Sequence, residues 1–273
     1  MKKTVKVAVC QNKVVDNKSQ NIENITTMIK EAGSNGSELV VLPEMFNCPY
    51  SNSKFAEYAE KAGTGETVKR MSEISAKEGI YIIAGSIPEV EDGRIYNTSF
   101  VFNREGELLT RHRKMHLFDI NIPGDIVFQE SATLERGNSI TVIDTQLGKI
   151  GCAVCYDIRF IELFRLMVLE GAEIIVVPGA FGLTTGKAHW ELLIRTRAVD
   201  NQVFMIGAAP ARNKNLSYMP YGNSMICDPW GNILCRAGSK QQIIYSELNR
   251  SDIDRIRREL PILKHRRTDI YNI

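Results

Sequence analysis

Cys155 is the residue with the most chemistry to offer. It lies in the stretch Lys149-Ile150-Gly151-Cys152-Ala153-Val154-Cys155-Tyr156-Asp157-Ile158-Arg159-Phe160. Residues 150–154 form a continuous run of small or β-branched apolar residues, the pattern of a short buried strand entered from a Leu147-Gly148 turn. From Arg159 the period changes. Phe160, Leu163, Phe164, Met167 and Val168 fall on one face of a predicted helix that closes near Gly171. Cys155 therefore sits where a strand gives way to a helix. In an open α/β layer, the loop leaving the carboxyl end of a strand is where ligands bind. Backbone N–H groups at a helix amino end would also favour a thiolate there. The competing reading is a free cysteine acting as a small buried hydrophobe, the commoner fate of this residue. Position alone leaves both open.

The other cysteine chemistries are weaker. Cys152 and Cys155 make a Cys-x-x-Cys, but three positions apart on a strand they point to opposite faces. Neither a second such pair nor a close histidine pair completes a metal site, so no metal and no cofactor are expected. The four histidines are scattered, and none marks itself as a partner for the thiol. With no secretory signal after the Met-Lys-Lys start, six cysteines read as reduced thiols in a cytoplasmic chain.

The elements that must position Cys155 come in a repeated order. Val5 to Cys10 is a first buried strand. Ile22, Ile25, Ile29 and Ala32 mark a helix, and residues 39–42 a second strand with Pro43-Glu44 just beyond it. A helix over 66–77 and a strand over 80–84 follow. Hairpin turns at Asp92-Gly93 and Glu105-Gly106 then join strands that include 98–102 and 108–111. The second half repeats this. Ala8-Val9-Cys10-Gln11 reappears as Ala153-Val154-Cys155-Tyr156, and Glu38 to Glu44 as Glu173 to Gly179. Tyr96, Ser99, Gly106, Leu109 and Arg111 fall on Tyr221, Ser224, Gly231, Leu234 and Arg236 at one offset (221 − 96 = 125).

Such matching points to internal duplication of a βαβαββ unit. Two copies predict an α/β fold of two mixed sheets packed face to face with helices outside, a four-layer αββα sandwich. Glu44 ends the second strand of the first copy, where the second copy has Gly179. Cys155 ends the first strand of the second copy. Around a pseudo-twofold axis the two would face each other.

Composition excludes several partners. The 273 residues are 44% apolar and 24% charged with a net charge of +2, the make-up of an ordinary soluble domain. That balance gives no footprint for nucleic acid or a membrane surface, and no apolar run is long enough to span a bilayer. After one large unit over 4–249 comes a different segment, 250–273. Ser251 and Asp254 suggest a capping pair for a short helix broken at Pro261. Leu260, Ile262, Leu263, Ile270 and Tyr271 are too apolar to stand alone, so this tail is expected to dock on a partner subunit.

Glu44 in Leu-Pro-Glu-Met-Phe, Lys114 in Arg-Lys-Met-His-Leu-Phe-Asp and Cys155 in Cys-Tyr-Asp-Ile-Arg-Phe together resemble the three signatures of the nitrilase, or carbon–nitrogen hydrolase, superfamily. The resemblance runs from about Val5 to Asn249. Within that superfamily the chain is most similar to the omega-amidase branch. The similar stretches are Phe128-Gln129-Glu130-Ser131, Pro178 to Phe181, Leu183 to Gly186, His189 to Leu193 and Arg197 to Gln202. Departures from that branch stand at Gly182, Asn223, Cys48 and Ser51.

The resemblance implies an αββα sandwich that assembles as a homodimer or larger homo-oligomer. It implies hydrolysis by water of the terminal amide of a small dicarboxylic acid monoamide, such as α-ketoglutaramate or succinamate. Cys155 would be the nucleophile that forms a thioester, and Glu44 the base and acid. Lys114 would hold the tetrahedral oxyanion with the Tyr156 backbone N–H. Glu130 would hold Lys114 and line the acyl site. For the substrate carboxylate, Tyr50, Thr184, Thr185 and Arg195 are the candidates, and Tyr156 and Phe181 would also line the substrate site. The alternatives are another carbon–nitrogen hydrolase acting on a nitrile, an N-carbamoyl group or a different amide, and a non-enzymatic thiol protein using Cys152 with Cys155.

Overall fold

Side chains alternating inward on the central strands of two sheets meet in one dry layer. Val7, Val9, Val41 and Ile83 from one sheet pack on Ile150, Ile174, Val176 and Ile206 from the other, each at most 1% exposed. Fully burying a side chain of this size is worth roughly 1.5–3 kcal/mol, so the sandwich is held chiefly by this layer. The architecture is that of a computed structural model describing residues 3–124 and 126–271.

The first sheet contains β1 (Thr4–Gln11), β2 (Leu39–Val41), β3 (Tyr81–Glu91), β4 (Arg94–Phe102), β5 (Leu108–Arg113) and β14 (Gln242–Asn249), in the order β14-β1-β2-β3-β4-β5. A separate hairpin pairs β6 (Asp119–Ile122) with β7 (Ile126–Gln129). The second sheet has β8 (Thr141–Thr145), β9 (Gly148–Cys152), β10 (Ile174–Pro178), β11 (Phe204–Ala208), β12 (Met225–Cys227) and β13 (Ile233–Arg236), ordered β8 through β13.

Helices close both outer faces. After β1, α1 (Lys18–Ser34) opens with Asn17 accepting from the Gln20 N–H and buries Ile25 and Ile29. The short α2 (Asn52–Tyr58) follows the loop after Glu44. Beside α1 lies α3 (Glu66–Glu78), stopped by Gly79 at positive φ. On the second sheet, α4 (Ile161–Leu169) and α6 (Glu191–Asn201) bury Leu163, Phe164, Ile194 and Ala198. A single turn, α5 (Leu183–Thr185), and a π-turn over Gly186–Trp190 lead into α6. The four-layer αββα sandwich is therefore observed.

The duplication is visible in the hydrogen bonds. In each copy the first three strands run parallel and the next two antiparallel. The hairpins even share a bulge. Pairing shifts between Val101 and Phe102 in one copy and between Ile226 and Cys227 in the other, at the predicted offset. The first strands need a correction. Glu38 N donates to Lys6 O and Glu173 N to Lys149 O, which sets Cys10 against Ala153 rather than Cys155. A slip of two residues keeps every side chain on its face, so short apolar strands match themselves equally well either way.

The tail also differs in detail. The last helix, α7 (Ser251–Glu259), has Arg250 as its N-cap, and Ser251 Oγ donates to Asn249 Oδ1 at 2.8 Å, so Ser251 and Asp254 form no capping pair. Leu260, Ile270 and Tyr271 are exposed. Asn272 and Ile273, the end of the predicted tail, lie outside the described residues, as do Met1 and Lys2 at the start.

Two close approaches set the ends of the strands that bear the site. At Gly179 a Cβ would lie 2.9 Å from Trp190 and 3.5 Å from the Cys155 Cα, so the second copy's counterpart of Glu44 must be bare. Gly85 sits at φ +32 in a β3 bulge, and a Cβ there would fall 1.9 Å from the Pro43 carbonyl oxygen. The next residue, Ser86, accepts from the Met45 N–H at 3.2 Å, so this bulge grips both sides of Glu44. Gly85→Ala should lower unfolding stability by about 2–4 kcal/mol, read by chemical denaturation. Wild-type stability in that variant would contradict the close approach.

Candidate active site

The turn that carries Cys155 is built by one carboxylate. Beyond β9, Cys155 adopts φ +50 and opens a 3₁₀ turn, Cys155–Arg159, before α4 begins. The strand predicted over 150–154 runs only as far as Cys152, and the extended Val154 gives its N–H to Asp157 instead of a neighbouring strand. A non-glycine residue at positive φ persists only where its surroundings hold it. Here Asp157 does so. Its Oδ2 accepts from the Val154 N–H at 2.9 Å, and Oδ1 accepts from the His116 N–H at 2.9 Å. His116 Nδ1 lies 2.8 Å from Oδ1, and His112 Nε2 lies 3.4 Å from Oδ2. Burial alone would raise this carboxyl, but the bonds from His112 and His116 hold it well below the usual range. His112 and His116 flank Lys114 by two residues on either side. Asp157 therefore ties the Cys155 turn to the segment that presents Lys114.

Glu44, Lys114 and Glu130 are all fully buried and meet at one ammonium. Lys114 Nζ donates to Glu44 Oε1 at 3.0 Å and to Glu130 Oε2 at 2.8 Å. Glu44 Oε1 also accepts from Asn97 Nδ2 at 2.8 Å, and Oε2 from the Ala180 N–H at 2.7 Å. Its charge also acts on the Cys155 thiol, raising the thiol's proton affinity. Glu130 accepts from Tyr50 Oη and from the Phe118 N–H, each at 2.6 Å. The first copy thus brings Glu44 across the sandwich to Cys155 and Ala180 of the second, as the pseudo-twofold reading expects.

Four ionisable groups in one dry site, Glu44, Glu130, Lys114 and Cys155, act on one another's protonation. Burial pushes the Glu44 carboxyl up, Lys114 pulls it back and Glu130 adds to the rise. For Lys114, burial works against the ammonium, but Glu130 and Glu44 outweigh it and raise its pKa well above the ordinary value. The Cys155 thiol is raised well above its ordinary value, by burial first and then by the Glu44 charge. The expectation that turn N–H groups would favour a thiolate is therefore corrected. A nearby carboxylate and the absence of water outweigh the short turn's dipole, and Cys155 rests as a thiol near the Glu44 carboxylate.

The remaining sequence candidates divide. Tyr50 lies in the site, and its ring packs 4.7 Å from that of Tyr218. Tyr156 is the second residue of the Cys155 turn, where backbone N–H groups have no partner within the turn. Phe181 packs 5.1 Å from Trp190, with the Arg159 guanidinium 5.3 Å above its ring. Thr184 is exposed and Thr185 half-buried on α5, and neither lines the cavity beside Glu44 that Cys48, Tyr50, Ala180 and Tyr218 form. Arg195 is corrected outright. It lies on the outer side of α6 with a half-exposed side chain, donating to Gly231 O at 2.9 Å and facing Glu191. The buried face of α6 is Ile194, Arg197, Ala198 and Asn201, and the helical period turns residue 195 away from it.

Sequence reasoning missed Asn97, Tyr218, Arg159 and the roles of Asp157 and His116. An asparagine amid strand residues was a usable signal for Asn97, since that residue type is depleted in strands. Tyr218 Oη donates to Ala180 O at 2.6 Å from an irregular loop that carries no pattern. Of the departures, Gly182 matters to this site, because a Cβ there would stand 3.3 Å from Tyr218 Oη. Asn223 has a backbone reason instead. It sits at φ +62, which asparagine tolerates, and its carbonyl accepts from Trp190 Nε1. Among the described residues, no group of three or more His, Cys, Asp or Glu could hold a metal ion, and no helix is long and apolar enough to cross a membrane.

The profile described as carbon–nitrogen hydrolase matches residues 6–258. The chain is 46% identical to the omega-amidase NIT2 of Mus musculus over 270 residues, which cover 99% of this chain and 98% of that protein. It is 48% identical to the omega-amidase NIT2 of Xenopus tropicalis over 256 residues, 94% of this chain and 92% of the relative. The crystal structure of Saccharomyces cerevisiae Nit3, described as a member of branch 10 of the nitrilase superfamily, superposes with a TM-score of 0.90 at 40% identity, covering 97% of each chain. The NitFhit protein of C. elegans superposes with a TM-score of 0.92 at 31% identity, over 98% of this chain and 66% of the other. A profile spanning most of the chain and relatives this similar over nearly their full length agree with the buried Glu-Lys-Cys arrangement: the chain belongs to the carbon–nitrogen hydrolase family.

Proposed function

We propose that this protein is an amidase that hydrolyses the terminal amide of a small dicarboxylic acid monoamide, such as α-ketoglutaramate or succinamate, to the acid and ammonia. The observation that carries the reading is the Glu44 carboxylate, buried, bonded to the Lys114 ammonium and the Ala180 N–H, and raising the Cys155 thiol by its charge. Cys155 Sγ attacks the amide carbonyl while its proton passes to Glu44. Lys114 Nζ and the Tyr156 N–H receive the negative charge that develops on the carbonyl oxygen. Glu44 returns the proton to the departing nitrogen, ammonia leaves, and a Cys155 thioester remains. Water then attacks the thioester, giving its proton to Glu44, and the thiol is restored as the acid leaves. Glu130 holds Lys114 and, through Tyr50, a wall of the acyl site.

The substrate's far carboxylate calls for a cation, and Arg159 replaces Arg195 in that place. Its guanidinium lies over the rings of Tyr156 and Phe181, at the end of the turn that Cys155 opens, and no carboxylate pairs with it among the described residues. The omega-amidase relatives support the same substrate class. The catalytic unit is read over 4–249. The exposed Leu260, Ile270 and Tyr271 support a tail over 250–273 that docks on a second copy in a homodimer or larger homo-oligomer. Six free cysteines support a reducing, cytoplasmic setting.

Ammonia release from succinamate and butyramide tests the function. Succinamate should be preferred by at least tenfold in kcat/KM, and Arg159→Ala should erase that preference, while Cys155→Ala should release no ammonia from either. Equal rates on the two substrates in the wild type would remove the carboxylate site, and turnover of a nitrile or N-carbamoyl substrate alone would favour another activity.

The pH dependence follows from the site's charges. Glu44 must be deprotonated to accept the thiol proton, and its pKa is raised, so activity is present above that pKa and lost as pH falls through it. The acid limb of kcat/KM should lie above the ordinary glutamate value of about 4.3. Lys114 keeps its proton beyond the ordinary lysine range, so no loss from this group should occur below about pH 10. An acid limb at or below pH 4 would contradict the coupling.

A further inference from the structure

Asn97 is fully buried in the middle of β4, where asparagine is a poor strand residue. Its side chain makes one bond, from Nδ2 to Glu44 Oε1 at 2.8 Å. Its Oδ1 has no hydrogen-bond partner among the described residues, although it is buried. A buried polar atom left unpaired lowers stability and calls for an explanation. The backbone adds a second link, because the Asn97 carbonyl accepts from the Lys114 N–H at 2.8 Å. One residue thus touches the base through its side chain and the oxyanion cation through its main chain.

The duplication offers an independent comparison. At the offset of the second strands, Glu44 falls on Gly179 (179 − 44 = 135), and at the hairpin offset Asn97 falls on Gly222 (222 − 97 = 125). The copy that lacks the base also lacks the amide that binds it. Both positions are glycine together, as expected if the asparagine serves the glutamate rather than the strand.

We propose that Asn97 is a positioning residue that fixes the orientation of the Glu44 carboxylate, a role that rests on Glu44 being the base. With Asn97 and Lys114 on Oε1 and the Ala180 N–H on Oε2, the carboxylate cannot swing away from Cys155. The Nδ2 donor also favours the charged form of Glu44 in a site where burial disfavours it. Removing that donor raises the pH needed to ionise the base, so the acid limb of the rate profile moves upward.

The test compares Asn97→Leu and Asn97→Asp with Glu44→Gln and wild type, reading melting temperature, kcat, KM and the pH profile. Asn97→Leu removes the donor and the unpaired carbonyl at similar volume. It should melt within a few degrees of wild type or higher, lose at least tenfold in kcat with KM within about threefold, and shift the acid limb to higher pH. Asn97→Asp keeps the shape but faces Glu44 with a second acid, and should lose as much. If Asn97→Leu fails to fold, Asn97→Asp decides. Wild-type kcat with an unmoved acid limb in the folded variants would overturn the role of Asn97, provided Glu44→Gln is inactive. Activity retained by Glu44→Gln would overturn the base assignment itself.

Discussion

A single buried ammonium, Lys114, holds the functional part of this molecule together. Two carboxylates from distant segments, Glu44 and Glu130, both end on it with almost no water in reach. Either carboxylate without that cation would be a lone buried charge, which proteins do not tolerate. The cation without them would be equally costly. Each member therefore fixes the protonation of the others. The ammonium stays charged, Glu130 accepts from Tyr50 and the Phe118 N–H, and of the two carboxylates Glu44 acts more strongly on the thiol.

The rest of the site works around that charge. Cys155 gains no ready thiolate, since a second anion beside Glu44 is opposed by burial and by the carboxylate's own charge. In the proposed reaction its reactivity arises from proton transfer in the act of attack, to a carboxylate whose own affinity for protons has been raised. This is a different solution from a cysteine–histidine pair. The histidines that do approach, His112 and His116, bind Asp157 and serve the backbone of the turn.

Duplication explains how one chain arrives at such a site. Two similar units supply matching sheets whose apolar faces must cover each other, and this brings equivalent strand ends together about a pseudo-twofold axis. The two copies then diverge where they meet. One carries Glu44 with its bulge at Gly85. The other carries Cys155 in a strained turn, beside a bare Gly179 that leaves it room.

Much of this was legible in the residues themselves. Strand and helix periods, the hairpin offset and the order of elements determined the αββα class, because burial of alternating or helical apolar faces is a local property of the chain. The motif residues Glu44, Lys114, Glu130 and Cys155 could be named for the same site through resemblance. What tertiary structure alone decided were contacts between segments far apart in sequence. Arg195 and Arg159 look equally suitable as cations in a sequence. Only the packing of α6 turns the first outward, while the 3₁₀ turn sets the second over Tyr156 and Phe181. The protonation of Cys155, the clamp by Asp157 and the bond from Asn97 to Glu44 likewise depend on burial and on distances that no spacing encodes. The charge of a group in a dry site is set by its spatial neighbours, and those are fixed only when the two sheets close.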